Sequence, residues 1–412
     1  MVKLDSKNSN KLMYLGAAAY FTSYLTRNNF AAVLAAIIQA GDIDKTSAGL
    51  VTTLGFITYG VGQLISGWLG DRINPKKLMF IGFLMTAAMN LLIPLCPNGY
   101  FMCIVWAFNG LAQSFMWPPL VKIMKTAMDS DKYDKGCITV NAGATVATIM
   151  IYLVSPLIIK LWSWHGVFII NACIAVIMSA IWLSEITSIE KTANIEYALK
   201  KGGKGNKKAY RKSSKLSVSL TVLIPVMVAI ILQGSLRDGV TTWIPTYITE
   251  VFHLDSSISI LSGVIIPLFG LASYKVTEFI YNKTGKKPYQ CSGMIFAVTI
   301  LCTALLRIFP DTSPIITVLL SAVLVASMHG INLILVCFLP AIIADDDNMS
   351  VISGLLNFMT YVGSALSTYG FAVISDKLGW SSVVSVWVVI TVIGLALCAL
   401  CTVKSNKTKS AA

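Results

Sequence analysis

The chain alternates long apolar stretches with short polar loops along its whole length. Twelve of the apolar stretches reach about 20 residues, the length at which a helix spans a bilayer. Strands with alternating polarity between aromatic girdles, the pattern of membrane barrels, do not occur in the sequence. The pattern predicts an all-α membrane protein with twelve transmembrane helices. The stretches cover residues 12–40, 47–70, 78–97, 101–125, 136–160, 164–184, 217–250, 256–282, 288–309, 314–344, 349–375 and 381–403.

Composition and charge support this prediction. The chain is 56% hydrophobic and 12% charged, whereas soluble domains carry about 25% charged residues. The net charge of +13 is spread over alternate loops, which argues against a nucleic-acid partner; residues 71–77, 185–216 and 283–287 hold most of it, with more at the C-terminus. The positive-inside rule places these loops and both termini in the cytoplasm. We expect a multi-pass protein of the plasma (inner) membrane.

A basic segment divides the chain into two halves. Residues 185–216 are rich in Gly, Lys and Ser without apolar periodicity, which predicts a flexible cytoplasmic linker. The predicted domains are a six-helix bundle over residues 1–184 and a second one over 217–412. Residues 67–72 are echoed weakly by 270–275. We therefore expect two pseudo-symmetric bundles, as in many secondary transporters, whose substrates bind near the membrane midplane.

Each half carries an arginine inside an apolar stretch. Arg27 is the only charged residue between Leu12 and Ala40, and Arg237 lies in the matching stretch of the second half. Such residues are costly in a bilayer and usually mark a transport pathway. A guanidinium stays charged and offers a planar fork to phosphate or carboxylate. Two arginines suit a small anion such as phosphate. Closure of an empty cavity around two arginines is unfavourable, because the two positive charges repel each other and lose their hydration. This favours an exchanger over a leak.

The neighbours of the two arginines extend the candidate site. Tyr20, Tyr24 and Arg27 are spaced by four and three residues, which places them on one helix face. The alternative is an ion pair between Arg27 and a carboxylate of another helix, for which Asp238 is available. Asp238 follows Arg237, but successive helical residues diverge and need not pair. Asp238 could instead cap a helix or couple protons.

Other polar residues leave alternatives open. His329 is either a hydrogen-bonded core residue or a substrate or proton group. The run of aspartates at 345–347 is interpreted as a solvated helix cap rather than a metal site. Trp117, followed by Pro118 and Pro119, predicts a kink of the kind that lines cavities. No nucleophile, base and orienting group form a recognisable motif. We therefore predict no enzyme activity, metal or cofactor.

Several motifs carry a family resemblance. The segment GWLGDRINPKK at residues 67–77 resembles the loop signature of the major facilitator superfamily. Residues 24–30, 109–119, 236–247 and 330–333 resemble the superfamily's organophosphate:inorganic phosphate antiporters. The resemblance implies two six-helix bundles. It also implies rocker-switch exchange of inorganic phosphate for a phosphorylated metabolite, of the sugar phosphate or glycerol-3-phosphate class.

The resemblance also implies site residues. Arg27 and Arg237 match the family's phosphate-binding arginines, and Tyr20, Tyr24 and Tyr361 match its tyrosines. The chain departs from the glycerol-3-phosphate transporters at three positions: Gln63 replaces a lysine, Ala144 a histidine and Gly234 a tyrosine. Loss of the lysine and the tyrosine suggests a wider pocket, which leaves open a different phosphorylated compound or another anion as the substrate. The predicted substrate-binding residues are Arg27, Arg237, Tyr20, Tyr24, Gln63, Trp117, Asn141, His329 and Tyr361.

Asp71 and Arg72 are predicted to govern conformational switching. They lie at the cytoplasmic end of the second stretch, where an aspartate can cap a neighbouring helix or pair with an arginine. The alternative is a plain topology signal.

Two further functions remain alternatives. One is proton-coupled symport of an organic anion such as a sugar acid, with Asp238 or His329 carrying the proton. The other is a transporter-like membrane sensor of a phosphorylated ligand. The expected partners are a small anionic substrate that is phosphorylated, inorganic phosphate and membrane lipids. We expect a monomer.

Overall fold

The computed structural model describes residues 3–43, 45–193, 197, 220–253, 256–309, 313–345 and 347–410. Every regular element in these ranges is a helix. The α-helices are α1 (Ser6–Gln39), α2 (Lys45–Gly70), α3 (Pro75–Leu92), α4 (Gly99–Ser114), α5 (Trp117–Ala127), α6 (Ser130–Leu161), α7 (Trp164–Ala193), α8 (Leu220–Phe252), α9 (Ser256–Lys283), α10 (Pro288–Ile308), α11 (Pro314–Asn332), α12 (Leu339–Ile343), α13 (Met349–Leu378) and α14 (Trp380–Ser410).

Within the described residues, the twelve predicted stretches fall largely on helices. Among the described residues, nine helices are long and apolar enough to cross a membrane. The other three stretches correspond to α1, to α4 with α5, and to α9. The helices α4 and α5 are short, at 16 and 11 residues, because the chain breaks between them. Pro118 and Pro119 lie in the first turn of α5, where a missing N–H does no harm. The kink predicted at Trp117 is therefore a full break between two helices.

A second interruption lies in the stretch at 314–344. There, α11 passes into a π-helical segment, Leu333–Phe338, before α12. Such segments often occur at functional sites.

The chain folds into two compact units. The first comprises Met1–Lys215 with Ala344–Phe358, and the second comprises Leu216–Ile343 with Met359–Ala412. The first residues of α13 thus group with the first half of the chain. The predicted division of the chain at the linker placed these residues in the second bundle.

The two units repeat one packing scheme. In the first unit α2 packs on α4, α3 on α7, and α1 on α7. In the second unit the corresponding pairs are α9 with α11, α10 with α14, and α8 with α14. This repetition supports the predicted pseudo-symmetry. The sequence echo is poorer, because residues 67–72 end α2 whereas 270–275 lie inside α9.

The predicted linker begins later than expected. Helix α7 continues to Ala193, nine residues beyond 184. Glu185 and Glu190 stabilise this extension through ion pairs with Lys11 and Lys76. Most of the remaining linker, residues 194–196 and 198–216, lies outside the described residues.

Candidate functional site

Aromatic rings surround Arg27 in the first unit. Its guanidinium carbon lies 4.0 Å from the ring centroid of Tyr59 and 5.0 Å from that of Tyr24. The Tyr24 ring is 5.1 Å from that of Tyr20, which is 5.3 Å from that of Trp117. Rings at this distance attract a guanidinium through their electron-rich faces and orient it. The structure thus brings together four residues that the sequence had placed in the site.

Tyr59 is a member of this cluster that sequence analysis missed. It lies on α2, four residues before Gln63, and so on the same helix face. That spacing is the signal that could have identified it.

The indole of Trp117 is a candidate hydrogen-bond donor to an anion. Trp117 is 2% exposed, and its Nε1 has no hydrogen-bond partner among the described residues. Buried donors normally have a partner, so an exception calls for an explanation. A ligand oxygen near the aromatic cluster would supply one.

A buried polar network lies next to Arg27, on another face of α1. The Thr26 carbonyl accepts hydrogen bonds from Asn90 and Asn109, each at 3.2 Å. The Gln113 amide donates to the hydroxyls of Thr26 at 2.8 Å and Thr86 at 2.7 Å. Polar side chains of this kind join helices within membranes. The network sets the rotation of α1 and, with it, the direction in which Arg27 points.

Gln63 and Asn141 have partners of a different kind. The Gln63 side chain is buried, and its Oε1 accepts from Asn357 of α13 at 2.9 Å. The Asn141 amide donates to the Cys137 carbonyl of its own helix at 2.9 Å. Contact of these two residues with substrate therefore stays a prediction.

In the second unit, Arg237 forms a bidentate ion pair with its neighbour. Its Nε and Nη2 donate to the two carboxylate oxygens of Asp238 at 2.7 and 2.8 Å. The Ser364 hydroxyl of α13 donates to the same carboxylate. Although successive helical residues diverge, these two side chains bend together. The pair of Arg237 and Asp238 has no net charge. The sequence argument counted one positive charge for each of the two arginines and did not include the negative charge of Asp238.

Two further residues of the predicted site, Tyr361 and His329, also belong to the second unit. Tyr361 precedes Ser364 by three residues on α13, which places both on one face. The His329 ring packs edge-on against Tyr274, with centroids 6.2 Å apart.

Gly234 permits close packing rather than opening space. A Cβ at Gly234 would lie 2.2 Å from the Thr360 carbonyl oxygen, so α8 and α13 meet at their backbones there. The wider pocket inferred from this departure is therefore wrong at this position.

Asp71 caps a helix, as one of its two predicted roles required. Its carboxylate accepts from the backbone N–H groups of Ser350 at 3.2 Å and Val351 at 3.0 Å, at the start of α13. It also pairs with Lys122 of α5 at 3.0 Å, and both side chains are 0% exposed. Sequence analysis missed Lys122, although a lysine inside an apolar stretch was a signal of the same kind as the arginines. The predicted switching role of Asp71 remains a prediction.

Arg72 and the aspartate run differ in role from Asp71. Arg72 donates to the Trp68 carbonyl at 3.0 Å and lies over the Trp68 ring, and so completes the end of α2. The aspartates at 345–347 were interpreted as the cap of α13, but Asp71 binds the N–H groups of Ser350 and Val351. Asp346 lies outside the described residues. Among those described, no group of three or more His, Cys, Asp or Glu could hold a metal.

Comparisons with curated proteins identify related transporters and a sensor. The chain is 25% identical over 174 residues to a probable hexose phosphate transport protein of Chlamydia trachomatis, covering 42% of this chain and 38% of that protein. It is 25% identical over 166 residues to the membrane sensor protein UhpC of Escherichia coli, covering 40% and 37%. These two alignments thus span less than half of either relative. The glycerol-3-phosphate transporter of Bacillus subtilis is 23% identical over 386 residues, covering 90% and 86%.

The fold matches solved transporter structures. A bacterial homologue of the iron transporter ferroportin, in an outward-facing state, superposes with a TM-score of 0.73 at 11% identity and covers 96% of this chain and 99% of that one. The sequence model of the family described as "Major Facilitator Superfamily" matches residues 16–368 of this chain. The relatives match the predicted organophosphate:inorganic phosphate antiporter family. The predictions of an all-α multi-pass membrane protein and of a transporter family rather than an enzyme are confirmed: the chain belongs to the major facilitator superfamily.

Proposed function

We propose that the protein is a secondary active transporter that exchanges a phosphorylated metabolite for inorganic phosphate by alternating access. The observation that carries the proposal is Arg27, a permanent cation inside a membrane helix, held between the rings of Tyr24 and Tyr59. Charged residues inside a membrane bundle usually mark a substrate or ion pathway. The named substrates of two relatives, hexose phosphate and glycerol-3-phosphate, indicate the chemical class.

Most of the candidate residues have a proposed task, whereas Gln63 and Asn141 are given none. Arg27 and Arg237 bind phosphate oxygens through their forks, and Trp117 donates a further hydrogen bond. Tyr20 and Tyr24 orient Arg27, whereas His329 and Tyr361 contact the organic part of the substrate. Asp71 and Arg72 control switching. The protein acts as a monomer in the plasma membrane with both termini in the cytoplasm.

A binding panel tests this proposal. Purified protein is heated with inorganic phosphate, glycerol-3-phosphate, hexose phosphates or sugar acids, and the shift in melting temperature is measured. We expect the phosphorylated compounds to stabilise wild type, and Arg27→Ala to abolish the shift while the protein remains folded. Stabilisation by sugar acids alone would contradict a phosphate site.

Two observations favour other candidates. Asp238 is a carboxylate beside a binding arginine, as a proton-coupled symporter of an organic anion requires. The similarity to a membrane sensor favours a ligand-sensing protein. Transport by purified protein in liposomes, at rates typical of carriers, would exclude a pure sensor.

A further inference from the structure

The fork of Arg237 is filled by a carboxylate of its own chain. Nε and Nη2 donate in parallel to the two oxygens of Asp238, at 2.7 and 2.8 Å. This is the bidentate geometry with which a guanidinium binds a phosphate or carboxylate ligand. Asp238 therefore occupies one of the two forks of the guanidinium, formed by Nε and Nη2, that an incoming anion could use.

Two helices hold this arrangement in place. Residues adjacent on an α-helix point about 100° apart, so helix geometry alone does not bring Arg237 and Asp238 together. The Ser364 hydroxyl, from α13, donates to the Asp238 oxygen that Nη2 also binds. The carboxylate is thus fixed on the fork from the side of a second helix.

The pair is also able to open. The side chains of Arg237 and Asp238 are 13% and 33% exposed, so neither is completely enclosed by the protein. The Ser364 hydroxyl has an alternative acceptor, the Thr360 carbonyl at 3.0 Å. Departure of the carboxylate therefore leaves the Ser364 hydroxyl with an acceptor, and the incoming anion takes the place of the carboxylate on Arg237, so that the penalty of unsatisfied buried donors is avoided.

We propose that Asp238 is an internal counter-anion, which occupies Arg237 when no substrate is bound and yields it to the transported anion. The proposal rests on the proposed role of Arg237 as an anion ligand. Asp238 lowers the affinity of Arg237 for the anion, because binding must first break an ion pair. It also speeds release, because the departing anion is replaced at once and no bare cation remains.

The test measures phosphate affinity in two variants. Asp238→Asn keeps the size of the side chain and removes its charge. We expect the concentration of inorganic phosphate that gives half-maximal exchange in proteoliposomes to fall about tenfold, as loss of a competing charge-assisted contact allows. The maximal exchange rate should fall as release slows. Ser364→Ala, which only loosens the carboxylate, should lower the half-saturating concentration about two- to threefold.

Two matched controls separate this effect from general damage. Glu250→Gln removes a carboxylate from the same helix, where it accepts from Trp380 Nε1 at 2.7 Å. Ser367→Ala removes a hydroxyl of α13 that donates to the Ser364 carbonyl at 3.1 Å. Neither should change the half-saturating phosphate concentration. A purely structural role of Asp238 would lower the melting temperature of the unliganded protein without moving that concentration.

The outcomes distinguish this inference from the proposed function. If wild type does not bind phosphate, or Arg237→Ala binds it normally, then Arg237 is not an anion ligand and both proposals fail. If Arg237→Ala loses binding but Asp238→Asn and Ser364→Ala leave the half-saturating concentration unchanged or raise it, only the internal counter-anion is overturned. Should Asp238→Asn fail to fold, Ser364→Ala decides by itself.

Discussion

Replacing Asp71 by asparagine should slow transport without weakening substrate binding. The Asp71 carboxylate pairs with Lys122 and binds two backbone N–H groups at the start of α13. Asparagine is also a good helix cap, so the principal loss is the negative charge. Lys122, 0% exposed, then lacks the charge of Asp71.

The size of the effect follows from this burial. Breaking a buried ion pair at one partner destabilises by about 3–5 kcal/mol. Loss of the charge at the start of α13 adds about 1 kcal/mol through the helix dipole. We expect the melting temperature of Asp71→Asn to fall by about 5 °C or more. Transport should slow about tenfold or more, since the start of α13 is held less strongly and a loss of about 1.4 kcal/mol corresponds to a factor of ten in rate.

The assay compares transport with the thermal shift produced by phosphate. We expect that shift in Asp71→Asn to match the shift in wild type. The double variant Asp71→Asn/Lys122→Met should recover most of the melting temperature, because two neutral side chains replace a buried charge that has lost the carboxylate of Asp71, while transport stays slow. Glu190→Gln breaks the ion pair with Lys76 at the same end of the bundle and serves as the control. A lost phosphate shift, or a stability equal to wild type, would refute this reasoning.

Three further predictions concern other residues. Arg27→Lys and Arg237→Lys should each lose most phosphate exchange, because an ammonium cannot form the forked contact; normal exchange by a folded variant would exclude that arginine as a ligand. Asp238→Asn should keep exchange, and a pH gradient alone should not drive uptake in wild type; proton-driven uptake that Asp238→Asn abolishes would make the protein a symporter. Gly234→Ala should destabilise by about 1–3 kcal/mol, because its Cβ would lie 2.2 Å from the Thr360 oxygen; an unchanged melting temperature would show that α8 and α13 separate easily.

Much of the fold was predictable because each bilayer-spanning helix needs an apolar stretch of about 20 residues, which is visible in the sequence. The face shared by Tyr20, Tyr24 and Arg27 followed from spacing alone, and their rings and guanidinium do cluster. The cap by Asp71 was one of two predicted roles, because a carboxylate at a helix end has few uses there.

The partners of buried charges were not predictable in the same way. The spacing of residues on one helix does not show which neighbouring helix they contact, so the pairing of Lys122 with Asp71 was missed. The contact of Arg237 with Asp238 depends on how both side chains bend and on Ser364 of another helix. Gly234 was misjudged for the same reason, since a missing side chain can serve a ligand or a close helix crossing.

Phosphate exchange by purified protein in liposomes tests the central claim most directly. Vesicles are loaded with labelled phosphate and diluted into buffer with or without external phosphate or glycerol-3-phosphate. An antiporter releases label rapidly only when an external partner anion is present. Its binding site, which contains the cation Arg27, changes from one side of the membrane to the other only with an anion bound. Equal release of label into buffer without a partner anion would contradict exchange. The controls are vesicles without protein and vesicles with the Arg27→Ala variant, both of which should retain the label.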